Sequence, residues 1–453
     1  MRRGALRWRP LSRHETMRLT GVRKEPPSGR GARAGNGIIL ASTFRALASL
    51  AVPDARQLWM AGVAVGVMRW LELLAFSLWA LEVTGSPLVV ASTTLLRMLP
   101  LLLLSVPLSA LIEGRDKRRV LLVNLAFVAG LCLIMLVVSL AGAMSVPLLL
   151  LASFLGGVFW AVEQPVRRTL LAERVGLERA GVSMSFEGAS NQLTRALGAV
   201  AGGLAAQLVG LAGVFLAGLL LYGTAFLLVA GTAPDGGGTG RPGRLASSAG
   251  LLDGLRHVAR SRLLLGAALV TVIFNLWAFP YVALAPVVAE RVLELSPLGI
   301  GTVLAFEGLG GFLACMSIAS GARPEHFRRL YSLGPVMLMA ATLLFACTAS
   351  VPLACLLLFL GGFGMGSFSA MQMVIPLQAA PPAIRMRVVG VISMCIGTSP
   401  LGFLHAGLMG ELLGAAGAMV VIGLEGLLAT ALLLWLVPEL AALRAPAADR
   451  GQH

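Results

Sequence analysis

Apolar residues run in long, nearly unbroken stretches along this chain, with polar residues gathered in the short gaps between them. Twelve such stretches fall at about 57–81, 88–112, 120–141, 146–166, 182–207, 210–232, 263–289, 297–320, 330–349, 351–377, 389–412 and 417–437. A helix rises about 1.5 Å per residue, so about 20 residues cross the roughly 30 Å hydrocarbon layer. A backbone in lipid must satisfy its own N–H and C=O groups, which predicts helices throughout. The text is also written twice. Val146-Pro147-Leu148 followed by Phe154-Leu155-Gly156-Gly157 returns as Val351-Pro352-Leu353 followed by Phe359-Leu360-Gly361-Gly362. Leu197-Gly198, Gly203-Leu204, Leu208, Gly210 and Gly213 return as Leu401-Gly402, Gly407-Leu408, Leu412, Gly414 and Gly417. The prediction is an all-α polytopic membrane protein: twelve transmembrane helices in two six-helix pseudo-symmetric bundles, with a site between them.

Composition agrees with that picture. Hydrophobic residues make up 57% of the 453 and charged ones 13%, more apolar material than a soluble core of this size would bury. The five cysteines all fall inside predicted spans without a C-x-x-C, and the five histidines are scattered. No metal site, cofactor or catalytic constellation is therefore expected, and the chain does not read as an enzyme. Trp59 and Trp79 stand at the two ends of the first span and read as interfacial anchors.

The net charge of +15 changes the picture only through its placement. Connections 113–119, 167–180, 235–262, 321–329 and 378–388 hold 18 Arg or Lys, and the alternate connections hold only Arg291. By the positive-inside rule both termini are cytoplasmic, in what is expected to be a bacterial inner membrane. The dispersion of these arginines over short loops argues against a nucleic-acid partner. Residues 1–54 form a basic segment expected to be largely disordered and cytoplasmic, with ten basic and two acidic side chains in the first 37. Met17 is an alternative start to Met1. The remaining organisation is a bundle at 55–233, a cytoplasmic linker at 234–262, a second bundle at 263–437 and a short tail at 438–453.

Ionisable groups inside the spans are costly, and so are candidate functional residues. Glu72 and Arg97 lie at similar depth in the first two spans, within pairing range, and Arg69 competes for Glu72 from three residues away. Two readings stand: a proton carrier released when a partner moves, or a fixed ion pair positioning the two helices. Ser296-Pro297-Leu298 mirrors Ser86-Pro87-Leu88, and Glu307 follows its proline as Arg97 follows its own. These two charges hold equivalent positions with opposite sign.

Ser109-Ala-Leu-Ile-Glu113-Gly-Arg-Asp116-Lys117-Arg118-Arg119, between spans 2 and 3, resembles the signature loop of the major facilitator superfamily. Thr84-Gly85-Ser86-Pro87, Pro165-x-Arg167, Arg195-x-x-Gly198 with Gly202-Gly203, and Arg385-x-Arg387-Val388-x-Gly390 are similar to its enterobactin-exporter-like, drug-efflux branch. The loop departs from the pattern at Ser109, Glu113 and Gly114, and the fifth span lacks the proline of the antiporter pattern. The resemblance implies a latch in which Glu113 faces span 11 and Lys117 bonds Glu163, with Asp116 and Arg118 in support. Glu187 either joins it or faces cytoplasmic water. It implies that spans 5 and 8 pack together, so that Arg195 and Glu307 meet in one state and part in another. It implies a cavity lined by spans 1, 4, 7 and 10, here offering Glu72, Ser77, Trp160, Gln164, Asn275, Trp277, Tyr281, Ser369 and Gln372. Glu411 and Glu425 are expected to be peripheral. The expected activity is proton-coupled export of an amphiphilic small molecule such as a drug, siderophore or secondary metabolite, by a monomer in the lipid bilayer. Glu72 and Glu307 are the candidate carriers, tuned by Arg69, Arg97 and Arg195. An importer or facilitator of a lipid-like solute, and a receptor or scaffold on the same fold, are the alternatives.

Overall fold

The computed structural model describes residues 52–112, 115–234, 248–321, 326–381 and 384–440; residues 1–51 of the basic segment and Glu113 lie outside them, and its last residues, Pro53 and Asp54, already belong to the first helix. The first half holds α1 (Pro53–Thr84), α2 (Pro87–Ile112), α3 (Lys117–Leu140), α4 (Val146–Val175), α5 (Leu177–Leu208) and α6 (Gly210–Ala230). A short amphipathic helix, α7 (Ser248–Arg260), leads into the second half. There α8 (Arg262–Ile273), a five-residue π turn (Phe274–Ala278) and α9 (Tyr281–Arg291) together make one crossing. It is followed by α10 (Pro297–Gly321), α11 (Phe327–Ala346), α12 (Val351–Met371), the short α13 (Val374–Ala379), α14 (Arg385–Ile396) and α15 (Ser399–Leu436).

Among the described residues, ten helical stretches are long and apolar enough to cross a membrane. One of them, Arg387–Leu436, spans 50 residues and turns back at Gly414, whose φ of 75° suits a residue without a Cβ. α5, 32 residues long, carries Glu187, Gln192 and Arg195 and is correspondingly less apolar. Counting α5 and both limbs of the folded stretch gives the twelve crossings of the sequence pattern.

Local signals set the helix ends. Pro53, Pro147, Pro352 and Pro400 sit at the first positions of α1, α4, α12 and α15, where a missing N–H costs nothing. Gly85 closes α1 in the left-handed region, its N–H bonding Leu81 O. Asp116 caps α3 by accepting from Arg119 N at 3.0 Å.

The sequence repeat is a packing repeat. In the first half a Cβ on Gly157 would fall against the carbonyl oxygen of Arg97; in the second, one on Gly362 would fall against that of Glu307. The same Phe-Leu-Gly-Gly motif thus lets α4 close on α2 and α12 close on α10. Small residues serve helix contact here because lipid supplies no hydrophobic drive between helices.

The halves meet along two seams. On one, Gly203 packs on Pro297, Gly301 on Ala199 and Gly308 on Ala196. On the other, Gly407 packs on Leu88 and Ala91, and Gly410 on Pro87. Polar contacts join them at the end of the bundle where connections are short: Arg291 donates to Gly85 O at 2.5 Å, Ser86 to Glu411 at 2.7 Å, and Leu298 N to Gln207 at 3.2 Å. Trp59 is no lipid anchor. Its indole N–H donates to Ser190 at 3.0 Å and its ring lies 5.3 Å from Phe186, because α5 packs over that face of α1.

Candidate functional site

At mid-depth of the α5–α10 seam, Arg195 forms an ion pair with Glu307 across the two halves. Both side chains are almost completely buried. Arg195 also donates to the Tyr281 hydroxyl at 2.9 Å and lies over the Trp70 ring, 4.3 Å from its centroid. Three helices of the two halves, α5, α9 and α10, thereby meet on one guanidinium. Glu307 Oε1 and Arg195 Nη1 are buried without hydrogen-bond partners.

Beside this pair, the first half holds a second set of buried charges. Arg97 donates to Glu72 at 2.6 Å, and Tyr222 donates to the same oxygen at 3.3 Å. Arg69 does not compete for Glu72. It reaches Glu163 at 3.4 Å, with its guanidinium 4.4 Å from the centre of the Trp160 ring. Its side chain leaves α1 toward α4, while Glu72, nearly one turn further along, faces α2 and α6. Glu163 is fully buried and bonds Arg167 as well, one turn along α4. Arg167 continues to Glu187 at 3.0 Å, and Arg168 bonds the same oxygen at 2.9 Å. Glu187, expected either in the latch or in water, is buried in this network. Its signal in the sequence was weak, but the i,i+4 spacing of Glu163 and Arg167 was legible. A cavity of about 20 Å³, room for one water, lies beside the network between Trp59, Arg69, Gln164, Arg167, Asn191 and Thr194.

The expected latch is not assembled as the resemblance implied. Lys117 pairs with Glu173 at 3.1 Å, because Glu163 lies too deep along α4 for a side chain at the mouth of α3. Asp116 caps α3 and pairs with Arg119 at 3.3 Å. Arg118 donates to the last carbonyls of α6, Val229 at 3.3 Å and Ala230 at 2.5 Å, where a cation suits the helix dipole.

The cavity residues divide. Trp160 and Gln164 lie beside Arg69, and Tyr281 joins the α5–α10 pair. Ser369 is exposed and Gln372 half-buried on the turn that ends α12. Ser77 is fully buried and donates to Leu73 O at 2.8 Å, and Asn275 donates to Thr271 O at 2.8 Å, so both turn to their own helices. Trp277 belongs elsewhere: its indole N–H donates to Glu425 at 2.9 Å, away from the halves' interface. Among the described residues no group of three metal-ligating side chains occurs.

The chain matches the model of a family described as transmembrane secretion effectors over residues 44–450. It is 26% identical to the multidrug efflux pump Tap of Mycolicibacterium fortuitum across 386 residues, 81% of this chain and 92% of that one. Solved structures of similar fold include the peptide transporter POT in complex with sulfate (TM-score 0.66, 12% identity, 87% of this chain and 96% of that). A point mutant of the nucleoside transporter NupG superposes with a TM-score of 0.64 at 11% identity, covering 85% of this chain and 99% of that.

Proposed function

The chain belongs to the major facilitator superfamily, in its secretion-effector family, and we propose that this membrane transporter exports amphiphilic small molecules in exchange for protons by alternating access. One observation carries the coupling: the buried ion pair between Arg195 and Glu307 spans the two halves. Separating the halves at this seam strands a carboxylate in a low-dielectric setting. The stranded group is neutralised most cheaply by a proton. Glu307 is therefore the carrier, and Glu72, held by Arg97 and Tyr222 inside one half, is the structural pair.

The basic connections face the cytoplasm, as do both termini, in a bacterial inner membrane. In that orientation the short-loop end is external, and the contacts there seal the outer side. The protein in this state receives solute from within. Similarity to a multidrug efflux pump favours export over import.

The test is proton movement across proteoliposomes on addition of ethidium, with wild type, Glu72→Gln and Glu307→Gln protein. The expected result is proton release or uptake that Glu307→Gln abolishes and Glu72→Gln retains, even if more slowly. Coupled movement that survives Glu307→Gln overturns the assignment.

A further inference from the structure

Glu425, His405 and Trp277 form a polar cluster that the transport machinery above does not use. Glu425 Oε2 receives the Trp277 indole N–H at 2.9 Å and lies 2.8 Å from His405 Nε2. The cluster bridges the π turn of the α8–α9 crossing and the two limbs of α15. Eleven residues separate Glu425 from the external break at Gly414, about 16 Å of helix, close to the bilayer centre.

Its surroundings are lipid-facing. Leu404 and Leu408 flank His405 on the first limb at 43% and 44% exposure, and Leu424 and Leu428 flank Glu425 on the second at 49% and 71%. The Glu425 and His405 side chains themselves are 41% and 35% exposed. Ionisable groups at this depth ordinarily turn to the bundle interior. Here Trp277 Nε1 and His405 Nε2 converge on Glu425 Oε2, in the exposed groove between the limbs. The Trp277 ring is fixed beside it by close packing on Gly426, where a Cβ would fall 2.7 Å from the Trp277 Cβ.

We propose that this groove is a binding site, entered from the bilayer, for the charged head of a lipophilic monocation. The carboxylate supplies the counter-charge in a medium where the Coulomb term is large, the indole adds cation–π attraction, and the leucines receive the apolar body. Trp277 lies in the π turn and its indole N–H reaches Glu425 on α15; π turns are frequent at functional sites. The proposal names a substrate class for the exporter read above, but binding at equilibrium does not depend on that reading.

The experiment uses full-length protein in lipid nanodiscs with rhodamine 6G, a lipophilic cation, and Nile red, a neutral dye of similar bulk. Glu425→Gln is expected to weaken rhodamine 6G binding at least tenfold while moving Nile red binding less than twofold. Dicyclohexylcarbodiimide, a lipid-soluble carboxyl reagent, is expected to modify Glu425, and rhodamine 6G to protect it. Unchanged rhodamine 6G binding, or no adduct at Glu425, overturns the site. Loss of both dyes is resolved by Glu425→Asp: recovered rhodamine 6G binding supports the site, and continued loss overturns it. A change from dimer to monomer on Glu425→Gln assigns the groove to a second copy of the chain and also overturns it. Gradient-driven efflux of rhodamine 6G, measured separately, decides the export reading. Binding without efflux refutes export and leaves the site standing.

Discussion

Replacing Glu307 by glutamine removes the only carboxylate facing Arg195 among the described residues, and leaves a guanidinium at 6% side-chain exposure. Breaking one side of a buried pair costs about 3–5 kcal/mol. Part of that is recovered, since Tyr281 still accepts from Arg195 and the Trp70 ring still faces it, together returning about 1 kcal/mol. The net expectation is about 2–4 kcal/mol against the state in which the seam is closed, roughly a 30- to 700-fold shift in the equilibrium between states. A cysteine placed at Ala91 in a cysteine-free background reports this shift. Ala91 is 1% exposed and lies against Gly407 on the companion seam, so it labels only when the external side opens. Its labelling by an impermeant maleimide should rise steeply in Glu307→Gln and fall back in Arg195→Gln/Glu307→Gln, where no charge is left unpaired. The cycle of single and double variants should give a coupling of at least about 1 kcal/mol. Equal labelling in all four proteins, or additive effects, would refute the argument that this pair biases the closed state.

Glu72→Gln should lower unfolding stability in detergent by about 3 kcal/mol, and Glu72→Gln/Arg97→Met should restore most of it, since that pair is wholly internal to one half. Gly157→Val and Gly362→Val should each destabilise by about 1–3 kcal/mol through overpacking against a carbonyl, with similar cost in the two halves; a tolerated substitution in one only would deny the repeat its shared packing role. Trp59→Phe should cost about 1 kcal/mol in thermal unfolding, the value of its bond to Ser190, and should not alter membrane insertion. Arg118→Ala should weaken the end of α6 by about 1–2 kcal/mol, seen as faster amide exchange at its last turn, without changing transport direction.

What the chain disclosed before folding was periodic and one-dimensional. Twelve apolar runs, the duplicated Phe-Leu-Gly-Gly and the paired Ser-Pro-Leu entries into α2 and α10 located Arg97 and Glu307 at equivalent depth, because rise per residue converts sequence offset into depth. Rotation about the helix axis is not carried by such offsets. Arg69 and Glu72 are about 60° apart at 100° per residue, close enough to read as neighbours, yet each faces a different partner helix. Lys117 was matched to Glu163 through the family pattern, and the difference in depth along α4 directs it to Glu173 instead. The resemblance assigns Trp277 to the cavity because it lies on span 7, whereas its indole, in the π turn at Phe274–Ala278, bonds Glu425 instead.

The two halves therefore treat equivalent positions differently, and that difference supplies a reason for coupling. In the first half Arg97 finds Glu72 on a neighbouring helix of the same bundle, so its charge is balanced whatever the other half does. In the second half the described arginines lie at helix ends, as Arg262, Arg291, Arg328 and Arg385 do, and none is placed beside Glu307. Its counter-charge comes from the opposite bundle. The rocking motion proposed here would keep the first pair and break the second, so the second is the pair through which a proton would bias the conformational equilibrium. Arg195, freed at the same moment, keeps the Trp70 ring of its own half. The carboxylate keeps only the neutral Tyr281 hydroxyl of its own half, which cannot balance its charge, and in the proposed coupling it is the carboxylate that takes the proton.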